Sequence, residues 1–343
     1  MKSNHYWLAL TKINGLGPIR INKLLKHFGD PQSIWKASEN QLKQVDSIFK
    51  LAEKIVEQRK IINIDKLLKD LDKNNIKYIT LDDDNYPEQL KNIYDPPPVI
   101  YYKGNNILSS FSVAVIGSRR CTAYGRKTAE KISYELSQKG LTIVSGMARG
   151  IDTKGHIGSL KAKGNTVAVL GSGLDIIYPP ESKELFNEIQ NNGMVISEFP
   201  PGVEPVSGNF PQRNRIISGL SRGVIVIEAA ARSGSLITAD LALEQGRELF
   251  AVPGNINRIR SQGTNKLIQK GAKLVTGVDD VLEELFLYND NKVNLEDKKN
   301  IYPELSAEEE ELIKIFEDNN EIQINDIIEV SKKTAAEVNS LLL

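Results

Sequence analysis

The sequence predicts an α/β fold built on a parallel sheet with helices on both faces, and three observations lead there. First, the 343-residue chain repeats short apolar runs of strand length: Ser112-Val-Ala-Val-Ile116, Thr142-Ile-Val-Ser145, Thr166-Val-Ala-Val-Leu170, Met194-Val-Ile-Ser197, Gly223-Val-Ile-Val-Ile227 and Leu249-Phe-Ala-Val252. Second, mixed stretches of helical period separate them, as from Lys127 to Gln138. Third, several runs stop at small or polar residues, including Gly117-Ser-Arg119, Gly146-Met-Ala-Arg149, Gly171-Ser-Gly173 and Glu228-Ala-Ala230. In a parallel sheet such ends share one edge, so residues distant in sequence meet at one crevice.

Charge is informative through its distribution. The formal net charge is zero, yet Lys103 to Gly171 holds 11 basic and 3 acidic residues, while Asp279 to Leu343 holds 6 basic and 18 acidic. A basic face in the central region can hide inside that neutral total, although ordinary solvated helices give the same count. Cys121 is the single cysteine, and His5, His27 and His156 lack metal-ligand spacing. Neither an internal disulfide nor a cysteine-based zinc cluster is available, and no metal or other cofactor is expected. No run approaches the ~18 apolar residues of a membrane span, and no apolar signal core follows Met1. A cytoplasmic protein with no membrane partner is expected.

Residues 1–75 read as a helical domain, with apolar side chains at three-to-four spacing. Lys12-Ile-Asn-Gly-Leu-Gly-Pro-Ile19 places a tight turn between two helices, with Pro18 in the first turn of the second. It resembles a helix-hairpin-helix turn, whose free amides meet DNA phosphates, and it equally suits a plain connector. Residues 76–110 supply the strands Lys77–Leu81 and Val99–Lys103 and a stiff Asp95-Pro-Pro-Pro98 spacer. The core domain follows over 111–288. A polar linker spans 289–303, and 304–343 reads as a small helix-turn-helix module whose acidic surroundings and missing wing strands argue against DNA contact.

Four loops carry the candidate chemistry. At Gly117-Ser118-Arg119-Arg120 a small strand end lets backbone amides approach a phosphate, and arginine bridges two phosphate oxygens. The next glycine is Gly125, so neither a dinucleotide fingerprint nor a Walker loop is present. Gly146 and Arg149 belong to the second strand end, followed by Asp152, which suits a helix cap or a brace for an arginine. Phe210-Pro-Gln-Arg213-Asn214-Arg215 sets two arginines behind an aromatic residue; a helix starting after Pro211 would bring both guanidinium groups to one place beside a base-stacking ring. Ser233-Gly234-Ser235 offers hydroxyls and free amides at a helix start, for an anion or simply as a cap. Glu198 and Glu228 stand at strand ends, where each suits an acid–base role or an arginine anchor. No catalytic residue is assigned.

Taken in order, Gly117-Ser-Arg, Ser145-Gly-Met-Ala-Arg-Gly-Ile-Asp152, Tyr178-Pro179, Ser197-Glu198, Phe210-Pro-Gln-Arg-Asn-Arg-Ile-Ile-Ser-Gly-Leu-Ser221, Arg232-Ser-Gly-Ser-Leu-Ile-Thr-Ala239 and Val252-Pro-Gly254 resemble the DNA-processing protein A (DprA, or Smf) family. The resemblance implies an extended Rossmann domain, flanked by an N-terminal sterile-alpha-motif-like helical domain and a C-terminal winged-helix-like one. It also implies a homodimer that binds and protects single-stranded DNA and helps load the RecA recombinase during natural transformation, without catalysis. By the same carry-over Arg119 is the DNA-contacting arginine of its turn, and Phe210, Arg213, Asn214, Arg215 and Ser233–Ser235 match the other pocket motifs. Many relatives have a lysine after Tyr-Pro; here Pro180 stands there and Lys183 is the nearest cation. The competing expectation is a Rossmann-type phosphoribohydrolase-like enzyme with Glu198 or Glu228 as base.

Overall fold

Ser112–Ile116 is buried along its whole length, as a central strand covered on both faces must be. The structure is a computed structural model that describes residues 4–105 and 111–287, with isolated positions at 328, 330, 331, 333–335 and 338. Its strands are β1 (Lys77–Thr80), β2 (Val99–Gly104), β3 (Ser112–Ile116), β4 (Thr142–Ser145), β5 (Thr166–Val169), β6 (Met194–Ser197), β7 (Gly223–Val226), β8 (Glu248–Ala251) and β9 (Lys273–Leu274). They form one nine-stranded sheet in the order β1-β2-β6-β5-β4-β3-β7-β8-β9. From β6 to β9 every pairing is parallel, while β1 and β2 add an antiparallel edge. The α/β class expected from the sequence is the one observed.

The strand order reverses at β3. Ala114 sits opposite Val144 of β4 on one side and Val224 of β7 on the other. The chain winds outward through β4, β5 and β6, then returns to the far side of β3. Crossover connections on the two sides of such a reversal diverge, which opens a crevice at the carboxyl ends of β3 and β7. The helix after β3 begins at Ala123 rather than near Lys127, because the Thr122 hydroxyl caps it by accepting from the Gly125 N–H at 3.1 Å.

Asn4–Lys73 contributes six α-helices among the described residues. Beyond a small cluster of their own around Tyr6, Ala9 and Ile64, they share their core with the sheet. Trp7, Leu10, Ile21 and Leu24 share one apolar cluster with Tyr101 of β2 and Val195 of β6. The Trp7 indole donates to Asp82 at 2.8 Å, and the Thr11 and Tyr101 hydroxyls lie 3.1 Å apart. The segments read from sequence as 1–75, 76–110 and 111–288 therefore pack as one unit up to Tyr288. The reason is physical: β1 and β2 extend the sheet and present an apolar face that the helices cover. In the Gly-Leu-Gly-Pro turn Gly15 takes φ +88°, and Arg20 donates back to the Gly15 carbonyl at 2.6 Å. The remainder, Asn289–Leu343, is a second unit. The linker and helix-turn-helix module expected there lie outside the described residues, save for the isolated positions above.

Candidate functional site

The loop after β3 runs against the loop after β7, with the Ser118 N–H donating to the Glu228 carbonyl at 2.8 Å. A Cβ on Gly117 would stand 2.8 Å from that same carbonyl oxygen, so only glycine permits the approach. Arg119 and Arg120 follow, both exposed. The Arg119 guanidinium lies 5.3 Å from the Phe210 ring centroid, and Phe210 lies 5.5 Å from the Tyr178 ring at an interplanar angle of 38°. One cation and two tilted aromatic rings thus cluster on the wall of an open groove of about 750 Å³.

Two strand-end segments and one helix form the main walls of this groove. Gly117–Arg120 comes from β3; Phe210, Pro211, Arg213 and Asn214 come from the helix Asn209–Gly219; Ser233, Gly234 and Ser235 follow β7. Gly146 and Arg149 line an adjoining small recess together with Arg119, Tyr178 and Phe210. Ser233 is the N-cap of the helix Gly234–Glu244, and its hydroxyl lies 2.7 Å from that of Ser235. Capping therefore coexists with exposure to the groove. Among the described residues lining it, Asp152 is the sole carboxylate.

The two arginines of the 210–215 stretch part company. Their helix begins at Asn209, before Pro211, and positions two apart on a helix do not face one another. Arg213 is buried and donates to the carbonyl of Gly146 at 2.8 Å and to that of Val169. Burial lowers its pKa to about 10, partly offset by Asp152, so it stays a cation at neutral pH. It shapes the groove floor and ties β4 and β5 to the helix. Arg215 turns the other way: its Nη atoms donate to Glu198 at 2.7 and 2.8 Å, and its Nε donates to Asp95 at 2.8 Å. Arg215 is not among the residues lining the groove. The expected convergence of both guanidinium groups does not occur.

Asp152 braces the floor by accepting the Gly146 N–H at 3.2 Å. Burial pushes its pKa up to about 6, against the pull of Arg213. Arg149 is exposed and paired with Glu181. Lys183 is exposed at the start of the helix Lys183–Asn192 and does not line the groove. Both candidate acid–base carboxylates are already engaged. Glu198 holds Arg215, and burial raises its pKa while Arg215 opposes the rise. Glu228 accepts from the backbone N–H of Thr122 at 2.9 Å and from the Thr122 hydroxyl.

The structure adds Tyr178, Arg232 and Ile237 to the groove wall. Tyr178 is visible in sequence as half of a Tyr-Pro pair but carries no sign there of its ring partner. Arg232 does have a signal: like Arg119, it is an arginine just past a strand end and beside a serine–glycine pair.

Residues 77–286 match the family model described as DNA recombination-mediator protein A. The chain is 41% identical over 286 residues to Protein Smf of Synechocystis sp., spanning 82% of this chain and 72% of that relative. It is 52% identical over 203 residues to DNA processing protein DprA of Streptococcus pneumoniae, spanning 59% of this chain and 72% of the other. The X-ray structure of DprA from Streptococcus pneumoniae is similar with a TM-score of 0.75 and 42% identity, covering 83% of this chain and 99% of that one. DNA processing protein A from Helicobacter pylori, solved for its single-stranded DNA binding mode, is similar with a TM-score of 0.56 and 33% identity, covering 62% of this chain and 97% of that one.

Proposed function

Because this chain belongs to the DNA recombination-mediator protein A family, we propose that its carboxyl-rim groove grips single-stranded DNA and that the protein acts, as a homodimer and without catalysis, to hand that strand to RecA recombinase in natural transformation. The observation that carries this reading is the contact of Arg119 with the Phe210 ring and of Phe210 with the Tyr178 ring, beside the exposed Arg120. Aromatic faces accept any base, because every base has a π-face, and guanidinium groups accept any phosphate. A double helix hides its base faces; a single strand offers them.

The nucleotide-hydrolase alternative is not favoured, since Glu198 and Glu228 are both committed to internal partners. In the same reading the front helices are sterile-alpha-motif-like and residues 304–343 belong to a winged-helix-like module. Two subunits on one strand raise affinity through effective concentration, so a homodimer fits a groove that holds few nucleotides.

Fluorescence anisotropy with labelled oligothymidylate tests the strand-binding core of the proposal. Arg119→Ala is expected to weaken binding by roughly 1–3 kcal/mol, the scale of one charge-assisted hydrogen bond. Unchanged affinity would remove Arg119 from the interface. For the mediator role, the readout is the lag before RecA assembles on a strand already coated by a single-strand-binding protein. The lag should shorten when this protein is added, and an unaltered lag rejects that part.

A further inference from the structure

The chain has thirteen arginines, all within the described residues, and how their guanidinium groups are used divides them cleanly. Arg20, Arg59, Arg126 and Arg247 donate to backbone carbonyls. Arg149 and Arg215 pair with carboxylates, Arg213 is buried on the carbonyls of Gly146 and Val169, and Arg222 stacks on Phe111. The others are Arg119, Arg120, Arg232, Arg258 and Arg260. Among the described residues none of these five donates its guanidinium to a carboxylate or a backbone carbonyl. All are exposed, and all sit on loops at the carboxyl ends of three adjacent strands, β3, β7 and β8.

Arg258 and Arg260 lie outside the groove described above, on the segment after β8. That segment is fixed rather than loose. The Ala229 N–H donates to the Arg260 carbonyl at 2.8 Å, and the Gly263 N–H donates to the Ala229 carbonyl at 2.8 Å. The Asn265 side chain clamps Gly254 through both the glycine N–H and its carbonyl, at 3.1 and 2.9 Å. The loop after β7, which supplies Arg232 and the Ser233–Ser235 wall, is therefore tied directly to the loop that carries Arg258 and Arg260. Two inter-strand spacings, about 10 Å, separate the ends of β3 and β8. The same segment carries Ile256 and Ile259, exposed to 81% and 70%.

Resting on the reading of the groove as a single-strand site, we propose that the Asn255–Arg260 loop is a second DNA-binding segment that continues the groove across β7 to the β8 edge. Arg232, Arg258 and Arg260 take successive phosphates, and Ile256 and Ile259 meet the bases that turn away from them. The strand then leaves the groove toward β8, the side where the arginines without a carboxylate or carbonyl partner lie, and not toward β5 and β6. On that opposite side Arg149 is neutralised by Glu181 and Arg215 by Glu198 and Asp95.

The test is anisotropy on the full chain with oligothymidylates of increasing length, comparing Arg258→Ala/Arg260→Ala, Arg258→Lys/Arg260→Lys and Arg119→Ala. A strand too short to leave the groove should bind the double alanine variant as tightly as the parent. A long strand should bind it roughly tenfold more weakly, with the salt slope shallower by about 1.4, or about 0.7 for each phosphate no longer neutralised. The double lysine variant should keep the parent slope. Equal affinity for long strands in parent and double alanine variant overturns the proposal, as does an equal loss at every length. A double alanine variant whose weaker binding is matched by a smaller size on exclusion chromatography overturns it too, by assigning the loop to self-association. Arg119→Ala separates the groove from its extension. Weaker binding of that variant at all lengths supports the groove itself. Parental binding by Arg119→Ala, with the double alanine variant still weak on long strands only, overturns the groove reading and upholds the β8 loop as a DNA-binding segment.

Discussion

The guanidinium of Arg119 stands 5.3 Å from the ring centroid of Phe210, joining the loop after β3 to the first turn of the helix Asn209–Gly219. The contact orients the cation without consuming it: a π-face satisfies charge but takes few N–H donors, which stay available for phosphate oxygens. A carboxylate in the same place would have neutralised the site.

Phe210 and Arg119 should therefore be coupled in binding. Phe210→Ala is expected to cost about 1–3 kcal/mol in affinity for oligothymidylate, the range for removal of one stacking platform. Phe210→Trp should preserve most of it. The Arg119→Ala/Phe210→Ala double variant should lose less than the sum of the two single losses, by about 0.5 kcal/mol or more, because each alanine already disrupts the other's contact. Additive losses in an anisotropy titration would show that the two side chains act separately.

Arg215 is expected to behave as a residue of stability. Its guanidinium is buried between Glu198 and Asp95, so Arg215→Ala leaves the Glu198 carboxylate buried without its counter-charge. Removing one member of a buried pair costs about 3–5 kcal/mol. Urea denaturation should show that loss as a lower midpoint, whereas the folded fraction should bind oligothymidylate like the parent. A variant of parental stability and weak binding would instead place Arg215 in contact with DNA.

The contrast between Arg213, Arg215 and Arg119 marks what a sequence can and cannot disclose. Strands, their polarity and the crevice they create are legible from apolar run lengths and the small residues at their ends, because burial on both faces demands that pattern. Gly117, Ser118, Arg119 and Ser233–Ser235 are legible for the same reason: they are strand-end loops. The fate of Arg213 and Arg215 depends on which face of the helix meets the sheet, and on an acid at position 95 that arrives from a different segment. Nothing local encodes that pairing. The Tyr178–Phe210 contact is likewise invisible, being made between a loop and a distant helix. The shared core of front helices and sheet is hidden too, because Tyr101 reads as an ordinary strand residue until Thr11 is seen beside it.

Gly117→Ala is expected to damage the site through the backbone. Its Cβ would meet the Glu228 carbonyl oxygen and the Ile151 side chain, each at 2.8 Å, and the carbonyl is held by the Ser118 N–H. Neither loop yields easily, so a stability loss of about 1–3 kcal/mol follows, the range for overpacking. Since any shift there displaces the adjoining Ser118 and Arg119 and so disturbs the Arg119–Phe210 contact, strand affinity should fall as well. Thermal denaturation and anisotropy on one preparation check both effects, and an unchanged pair of values would mean the loops have more slack than their contacts imply.

Two buried groups, Asp152 in the groove floor and His156 against Thr166 at the start of β5, should give opposing pH dependences. The Thr166 hydroxyl donates to the Ile143 carbonyl at 2.8 Å, so the His156 Nδ1–H must donate to Thr166, at 2.7 Å, which leaves Nε2 buried with no partner. Protonating Nε2 would bury an unpaired cation, with Arg213 opposing it further; burial accordingly lowers the His156 pKa from 6.5 to about 3. Its folded pKa is depressed, so its contribution to stability is complete above the unfolded value and drains away as pH falls through that interval. Asp152 has the opposite sign: its pKa rises from 3.8 to about 6, so folding favours the protonated form and stability increases as pH falls across that window. Each slope reaches about 1.4 kcal/mol per pH unit, and they largely cancel between about pH 4 and pH 6. Asp152→Asn removes one of them. In urea titrations across that range the variant should lose stability with falling pH more steeply than the parent, by up to about 1.4 kcal/mol per unit. Parallel pH profiles for the two proteins would mean that Asp152 ionises in the folded state much as it does unfolded.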